Sequence, residues 1–219
     1  MDVLEELTRR KMLAIIRADG PDRALACVRT LVGAGVAALE ISLTTPGALE
    51  AIERAREECP DSVLVGAGTI LTTADADAAA AAGAGFAVTP AITQGARRSV
   101  EIGMPLLCGA LTPTEVVGAL ELGATAVKIF PAGVHGPAYI RELLAPLPTS
   151  ALVAVGGIAP DTAGAYLKAG ARAVGVGSPL LGDAGRNGTD EALAALAVRA
   201  AALLDAVGAP VAVAGDRHE

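Results

Sequence analysis

Three charged side chains stand in, or just after, short apolar runs that otherwise read as buried strands: Arg17 after Met12–Ile16, Glu40 within Val36–Ile41 and Lys128 within Ala126–Phe130. A lysine amine can attack a carbonyl carbon, a carboxylate can carry protons to and from reacting atoms, and an arginine can hold an anionic group. Period-two alternation puts Leu13, Ile15 and Arg17 on one face of their strand. It does the same for Ala38, Glu40 and Ser42, and for Ala126, Lys128 and Phe130. Singly, each charge has a plainer explanation. Lys128 could snorkel from a strand end, and Arg17 with Glu40 could be a buried ion pair that only fixes structure. Three such groups on three strands point instead to a shared site, because buried charges are costly unless matched.

A second set is backbone chemistry. Val155-Gly156-Gly157-Ile158 and Gly175-Val176-Gly177-Ser178 each end an apolar run in glycines. Glycines let backbone N–H groups approach phosphate oxygens, a following short helix can present its N-terminus, and Ser178 can add a hydroxyl. The plainer alternative is that these glycines serve tight turns only.

These groups need a scaffold that brings distant strand ends together. Eight short apolar runs recur along the chain: Met12–Ile16, Val36–Ile41, Val63–Gly66, Phe86–Val88, Pro105–Leu107, Ala126–Phe130, Leu152–Val155 and Ala173–Val176. Each is followed by a longer Ala/Leu-rich stretch with helical spacing. Helix starts are marked by Pro21-Asp22, Pro46, Thr73, Pro113 and Pro160-Asp161, and glycines close several helices, as at Gly83, Gly103, Gly123 and Gly170. Eight strand–helix units predict an α/β fold, a (β/α)8 TIM barrel. A doubly wound sheet also alternates, but the chain has no GxGxxG fingerprint. In such barrels the reacting groups sit at the C-terminal ends of the strands, where Arg17, Glu40, the Gly66-Ala67-Gly68-Thr69 run and Lys128 fall. A short helix from Asp2 to Arg10 is expected to cap the barrel bottom, residues 1–219 are expected to form a single domain, and the tail from Gly208 to Glu219 is expected to fray.

Composition narrows the function classes. With 219 residues and 53% hydrophobic content the chain can bury one sizeable core. A formal net charge of -7 and 2% aromatic residues disfavour nucleic acid as a partner, since that affinity comes from cations on phosphates and rings on bases. Gly, Pro or charge interrupts every apolar stretch before it reaches membrane-spanning length, and Met1–Arg10 lacks the apolar core of a secretion signal, so a cytosolic location is expected. Cys27, Cys59 and Cys108 are widely spaced and read as buried free thiols.

In order along the chain, Ile16-Arg17, Leu39-Glu40-Ile41, Gly66-Ala67-Gly68-Thr69, Val88-Thr89-Pro90, Thr112-Pro113-Thr114-Glu115, Val127-Lys128-Ile129-Phe130-Pro131, Gly156-Gly157 and Gly175-Val176-Gly177-Ser178 resemble the KDPG/KHG aldolase family. The resemblance implies a cofactor-free class I aldolase, generally trimeric, without a metal. Its substrate would be a small phosphorylated keto sugar acid, 2-keto-3-deoxy-6-phosphogluconate or its galactonate epimer, with the unphosphorylated 4-hydroxy-2-oxoglutarate as a further candidate. By the same resemblance Lys128 matches the Schiff-base lysine and Glu40 the general acid/base. Arg17 and Thr69, with Pro90 and Phe130, match groups around the substrate, and Gly156, Gly157, Gly177 and Ser178 match the phosphate site.

Two departures bear on substrate. Thr44 stands where many gluconate-type members carry arginine, and Val155 where they commonly have a Pro-Thr pair before the double glycine. The stretch from Lys128-Ile129-Phe130-Pro131 through Gly136-Pro137 and Tyr139-Ile140, with Ala154-Val155-Gly156-Gly157, looks closest to galactonate-type members. Other readings stay open on the residues alone. A metal-dependent pyruvate aldolase lacks a ligand set, His135 and His218 being the only histidines. A noncatalytic sugar-phosphate-binding barrel would keep the glycine loops without needing Lys128 and Glu40 together. An epimerase or isomerase would use an acid/base pair without covalent attachment.

Overall fold

The structure is a computed structural model that describes residues 2–210. Its first helix, α1 (Val3–Arg10), begins where the Asp2 carboxylate accepts hydrogen bonds from the N–H groups of Leu4 (2.8 Å) and Glu5 (3.1 Å). It ends at Lys11, in the left-handed region. The barrel strands are β1 (Met12–Ile16), β2 (Ala38–Ser42), β3 (Leu64–Gly68), β4 (Ala87–Val88), β5 (Leu106–Ala110), β6 (Ala126–Ile129), β7 (Leu152–Val155) and β8 (Ala173–Val176). All pair in parallel in sequence order, and β8 returns to β1 with Gly175 opposite Leu13, closing the barrel. The helices on its outside are α2 (Pro21–Gly33), α3 (Ala48–Glu58), α4 (Thr73–Ala81), α5 (Gln94–Glu101), α6 (Pro113–Leu122), α7 (Pro137–Leu144) and α8 (Pro160–Lys168). Two short helices, α9 (Ser178–Leu181) and α10 (Ala184–Asn187), then lead to the long α11 (Asp190–Val207). The (β/α)8 expectation is met.

Alternation along the strands sorts side chains into two layers. Leu13, Ile15, Ala38, Leu64, Phe86, Val88, Leu107, Ala126, Val153, Val155 and Ala173 fill the barrel, and Val3 and Leu7 of α1 plug its N-terminal end. The intervening residues, such as Ala14, Leu39, Val65, Val127 and Val174, face outward against the helices. The plug is where the cap helix was expected.

Helix starts follow their local chemistry. Thr72 and Thr112 form capping boxes with Asp75 and Glu115, and Pro21, Pro113 and Pro160 occupy first-turn positions. One start differs. The helix expected at Pro46 begins at Ala48, because Gly47 adopts a left-handed conformation that only the next residue can follow with a helix. Strand β3 also runs to Gly68 rather than Gly66. Its glycines are inward-facing strand positions left empty for neighbours: the Phe86 ring fills the space beside Gly66, and the Glu40 carboxylate lies against Gly68. Strand β5 likewise starts one residue later and reaches Ala110, beyond the expected Leu107.

All three cysteines are free. Cys27 and Cys108 are buried and Cys59 is half-buried, which corrects the expectation of three buried thiols. Burial pushes the Cys27 thiol up to about 11, so it is a packing group rather than a nucleophile. Of the expected tail, residues 211–219 lie outside those described, and so does His218. Gly208 itself is held: it caps α11, and its carbonyl accepts from Lys11 Nζ at 3.1 Å. Among the described residues no helix is long and apolar enough to cross a membrane.

Candidate active site

At the C-terminal mouth of the barrel a cavity of about 490 Å³ is lined by Arg17, Glu40, Thr69, Pro90, Lys128, Phe130, Gly156, Gly157, Gly177 and Ser178. Every residue singled out from the sequence as a site candidate is therefore in this one cavity. Val155, Ile158, Gly175 and Val176, which the sequence showed as members of the glycine motifs, line it too, as does Ile15, which alternation put on the Arg17 face. Pro179 also lines it and had no signal of its own in the sequence. A larger hollow, about 630 Å³, lies at the opposite end of the barrel between α1, α8 and α11. Its lining of Thr8, Lys11, Lys168, Arg172 and Asp205 offers no group presented from a strand end into the barrel, so the smaller mouth cavity is the better chemical candidate.

Lys128 and Glu40 are both buried, at 8% and 1% exposure, yet both border the cavity. Lys128 comes from the middle of β6, paired to Gly109 on one side and Val153 on the other. Its amine sits 5.4 Å from the centre of the Phe130 ring, which is itself 41% exposed at the mouth. Glu40 comes from β2, and its Oε2 has no hydrogen-bonding partner among the described residues. Burial raises the Glu40 pKa above the ordinary carboxyl value, and the charges of Lys128 and Arg17 partly oppose the shift. A buried carboxyl that holds its proton more tightly than an ordinary one can donate it as an acid and take it back as a base.

Arg17 is fixed at the other side of β2. Its Nε donates to Thr44 Oγ1 at 2.9 Å, and that hydroxyl lies 2.8 Å from the hydroxyl of fully buried Ser42. The backbone beyond is tied as well, by Ala18 N–H donating to Thr45 Oγ1 at 3.1 Å and Asp19 N–H to the Gly185 carbonyl at 2.9 Å. Ser42 showed up in the sequence only as a residue on the Glu40 face. Its part in holding Arg17 depends on the turn after β2, which periodicity does not describe.

The glycine ends of β7 and β8 sit side by side across the cavity. Gly156 and Gly157 have φ of 90° and 72°, a backbone path that side-chain-bearing residues resist, and a Cβ at Gly156 would lie 2.8 Å from the Phe130 ring. The Gly156 carbonyl accepts from Gly133 N–H at 2.8 Å, which pins the loop after Phe130 over the cavity. His135 is exposed on that loop, its ring 4.7 Å from that of Tyr139, and Tyr139 donates its hydroxyl to the Leu111 carbonyl at 2.7 Å. It is a loop residue, as expected. Among the described residues no group of three or more His, Cys, Asp and Glu side chains is gathered as a metal site.

Comparison with known proteins bears on this geometry. Residues 3–194 match the family model described as KDPG and KHG aldolase. The chain is 41% identical over 175 residues to the 2-dehydro-3-deoxy-6-phosphogalactonate aldolase of Escherichia coli, covering 79% of this chain and 85% of that one. Among solved structures, one described as native KDPGal superposes with a TM-score of 0.81 at 40% identity, covering 89% of this chain and 93% of that chain. A KDPG aldolase from Legionella pneumophila, solved with pyruvate captured as a covalent carbinolamine, gives a TM-score of 0.78 at 25% identity, covering 96% and 98%.

Proposed function

This chain belongs to the KDPG and KHG aldolase family of carbon–carbon lyases, and from that premise we propose that Lys128 forms the Schiff base and Glu40 moves the protons. The observation that carries the assignment is the pairing of a buried lysine with a buried carboxylate, one oxygen of which has no hydrogen-bonding partner among the described residues, at one cavity. The substrate is a 2-keto-3-deoxy-6-phospho sugar acid, cleaved to pyruvate and glyceraldehyde 3-phosphate.

The neutral Lys128 amine attacks the C2 keto carbon, giving a carbinolamine, and loss of water leaves an iminium. Glu40, as the acid, protonates the departing hydroxyl and is left as carboxylate. It then takes the proton of the C4 hydroxyl. The C3–C4 bond breaks, its electron pair flows into the iminium to give an enamine, and the aldehyde leaves. The enamine gains a proton at C3, and water hydrolyses the resulting iminium to free pyruvate and the Lys128 amine. Support for a covalent route comes from the Legionella pneumophila relative, whose structure holds pyruvate as a carbinolamine.

The two ends of the substrate find matching groups. Arg17, aimed by Thr44, holds the carboxylate, with Thr69 beside it, while Pro90 and Phe130 wall the keto carbon. The phosphate lies against Gly156, Gly157, Gly177 and Ser178. We further read the galactonate epimer as the preferred substrate, since Val155 presents no hydroxyl to the cavity and the two epimers differ only at C4. The 41% identity to a phosphogalactonate aldolase supports the same choice. A cytosolic homotrimer is part of this reading, on the strength of the family resemblance, and sedimentation analysis tests the trimer.

The deciding experiment is borohydride reduction in the presence of pyruvate. A covalent adduct mapped to Lys128 is expected, and its absence at a pH where the enzyme turns over would sink the mechanism. Parallel assays with the two epimeric phosphates test the preference, which fails if the gluconate epimer is cleaved faster.

A further inference from the structure

The Gly177-Ser178 stretch opens α9, a helix of 4 residues. So short a helix stabilises itself poorly, because its carbonyls have almost no turns ahead of them to pair with. Three bonds hold its own turn: Leu180 and Leu181 N–H to the Gly177 carbonyl at 2.9 and 3.0 Å, and Gly182 N–H to the Ser178 carbonyl at 2.9 Å. The carbonyls of its last two residues are both taken by one side chain. Arg199 donates Nε to Leu180 O at 2.6 Å and Nη2 to Leu181 O at 2.8 Å.

Arg199 stands on α11, an 18-residue helix seated on the barrel wall through buried Leu196, Ala200, Leu203 and Leu204. It is outside the cavity and so touches no substrate. Among the described residues no carboxylate lies within ion-pairing distance of it, so its hydrogen bonds are directed to the backbone of α9. A planar guanidinium fork donating to two successive carbonyls fixes both the position and the rotation of the short helix. Leu180 and Leu181, both buried, prevent it from sliding along the fork.

We propose that Arg199 is a positioning residue for the phosphate end of the site. Through α9 it sets where the Gly177 backbone and the Ser178 hydroxyl meet the substrate phosphate. The inference rests on the phosphate assignment made above and adds the group that holds that end in place.

Arg199→Met keeps the aliphatic stem and removes the fork. Two reactions at the same Lys128 are compared: cleavage of the phosphorylated substrate, and exchange of pyruvate methyl protons with D2O followed by NMR, which needs imine and enamine but no phosphate. The expected result is a rise on the order of tenfold in KM for the phosphorylated substrate, with pyruvate exchange held within about twofold. Inhibition of cleavage by inorganic phosphate should weaken in parallel, and Arg199→Lys should recover part of the loss. Equal losses in both reactions, or no loss in either, overturn the inference. If Arg199→Met does not fold, Arg199→Gln, which keeps one donor amide, is put through the same two reactions and judged by the same outcomes. Ser178→Ala separates this inference from the reading beneath it. An unchanged KM in Ser178→Ala refutes the phosphate assignment itself, whereas a raised KM there with none in Arg199→Met refutes only the role of Arg199.

Discussion

Gly68→Ala should disable the enzyme by moving Glu40 rather than by removing any reacting group. A Cβ built at Gly68 would lie 2.8 Å from the Glu40 carboxyl carbon and 3.0 Å from Val88 Cβ, and closer still to Glu40 Oε1. Carbon atoms in contact prefer about 3.5–4 Å, so the carboxyl must retreat by about 1 Å. It has little room to do so, because Glu40 and Val88 are both fully buried and Ile15 pairs beside Glu40 on β1. Displacing a proton-transfer group by about 1 Å costs on the order of 10²-fold in turnover, and the overpacked methyl should destabilise the fold by about 1–3 kcal/mol. Lys128 is across the barrel, paired to β5 and β7, and keeps its place. Pyruvate release in a coupled assay should therefore fall by about two orders of magnitude, while borohydride trapping of pyruvate on Lys128 still goes to completion on long incubation. Turnover within about threefold of the parent enzyme, with an unchanged Tm, would show that Glu40 has slack and that Gly68 does not set its position.

Glu40→Gln should slow cleavage by about 10²-fold or more yet stabilise the fold, and the stabilisation should depend on pH. Burial raises the folded-state pKa of Glu40 above the ordinary carboxyl value, so the folded state binds this proton more tightly than the unfolded chain does. The stability that tight binding confers is complete below the unfolded value and is lost as pH rises through the raised folded value. The Tm difference between variant and parent should grow as pH rises above the ordinary carboxyl range and through the raised folded-state value, and a constant difference contradicts the shift. Thr44→Val removes the acceptor for Arg17 Nε and should raise the pyruvate concentration for half-maximal trapping about three- to tenfold, while Thr44→Ser stays near the parent. Identical trapping curves for Thr44→Val and the parent would show that Arg17 needs no anchor. Leu7→Ala empties part of the plug beneath the barrel and should cost about 2–5 kcal/mol in denaturant unfolding with kcat unchanged; a kcat loss at full stability would place α1 in the chemistry instead.

Much of this architecture could be read along the chain. The eight strands were legible because each is a short apolar run between helical stretches, and the direction of Glu40 and Lys128 because side chains alternate strictly across a strand. Boundaries were less legible where residues serve a neighbour. Gly68 looks like a loop glycine beyond its strand until Glu40 is seen to occupy its side-chain space, as Phe86 does at Gly66. The Ser42–Thr44–Arg17 chain was hidden because a turn, not a period, brings the hydroxyls to the guanidinium. Arg199 was hidden because it lies 19 and 18 residues beyond the Leu180 and Leu181 carbonyls it holds, on a stretch of α11 that in sequence resembles any other.

The sequence by itself determined which residues point inward at which strand ends, because chain chirality sets that alternation residue by residue. Only the closed barrel decided that Arg17, Glu40 and Lys128 share one cavity with the Gly156 and Ser178 loops. Convergence depends on β8 returning to pair with β1, a contact between residues about 160 apart that no local pattern encodes.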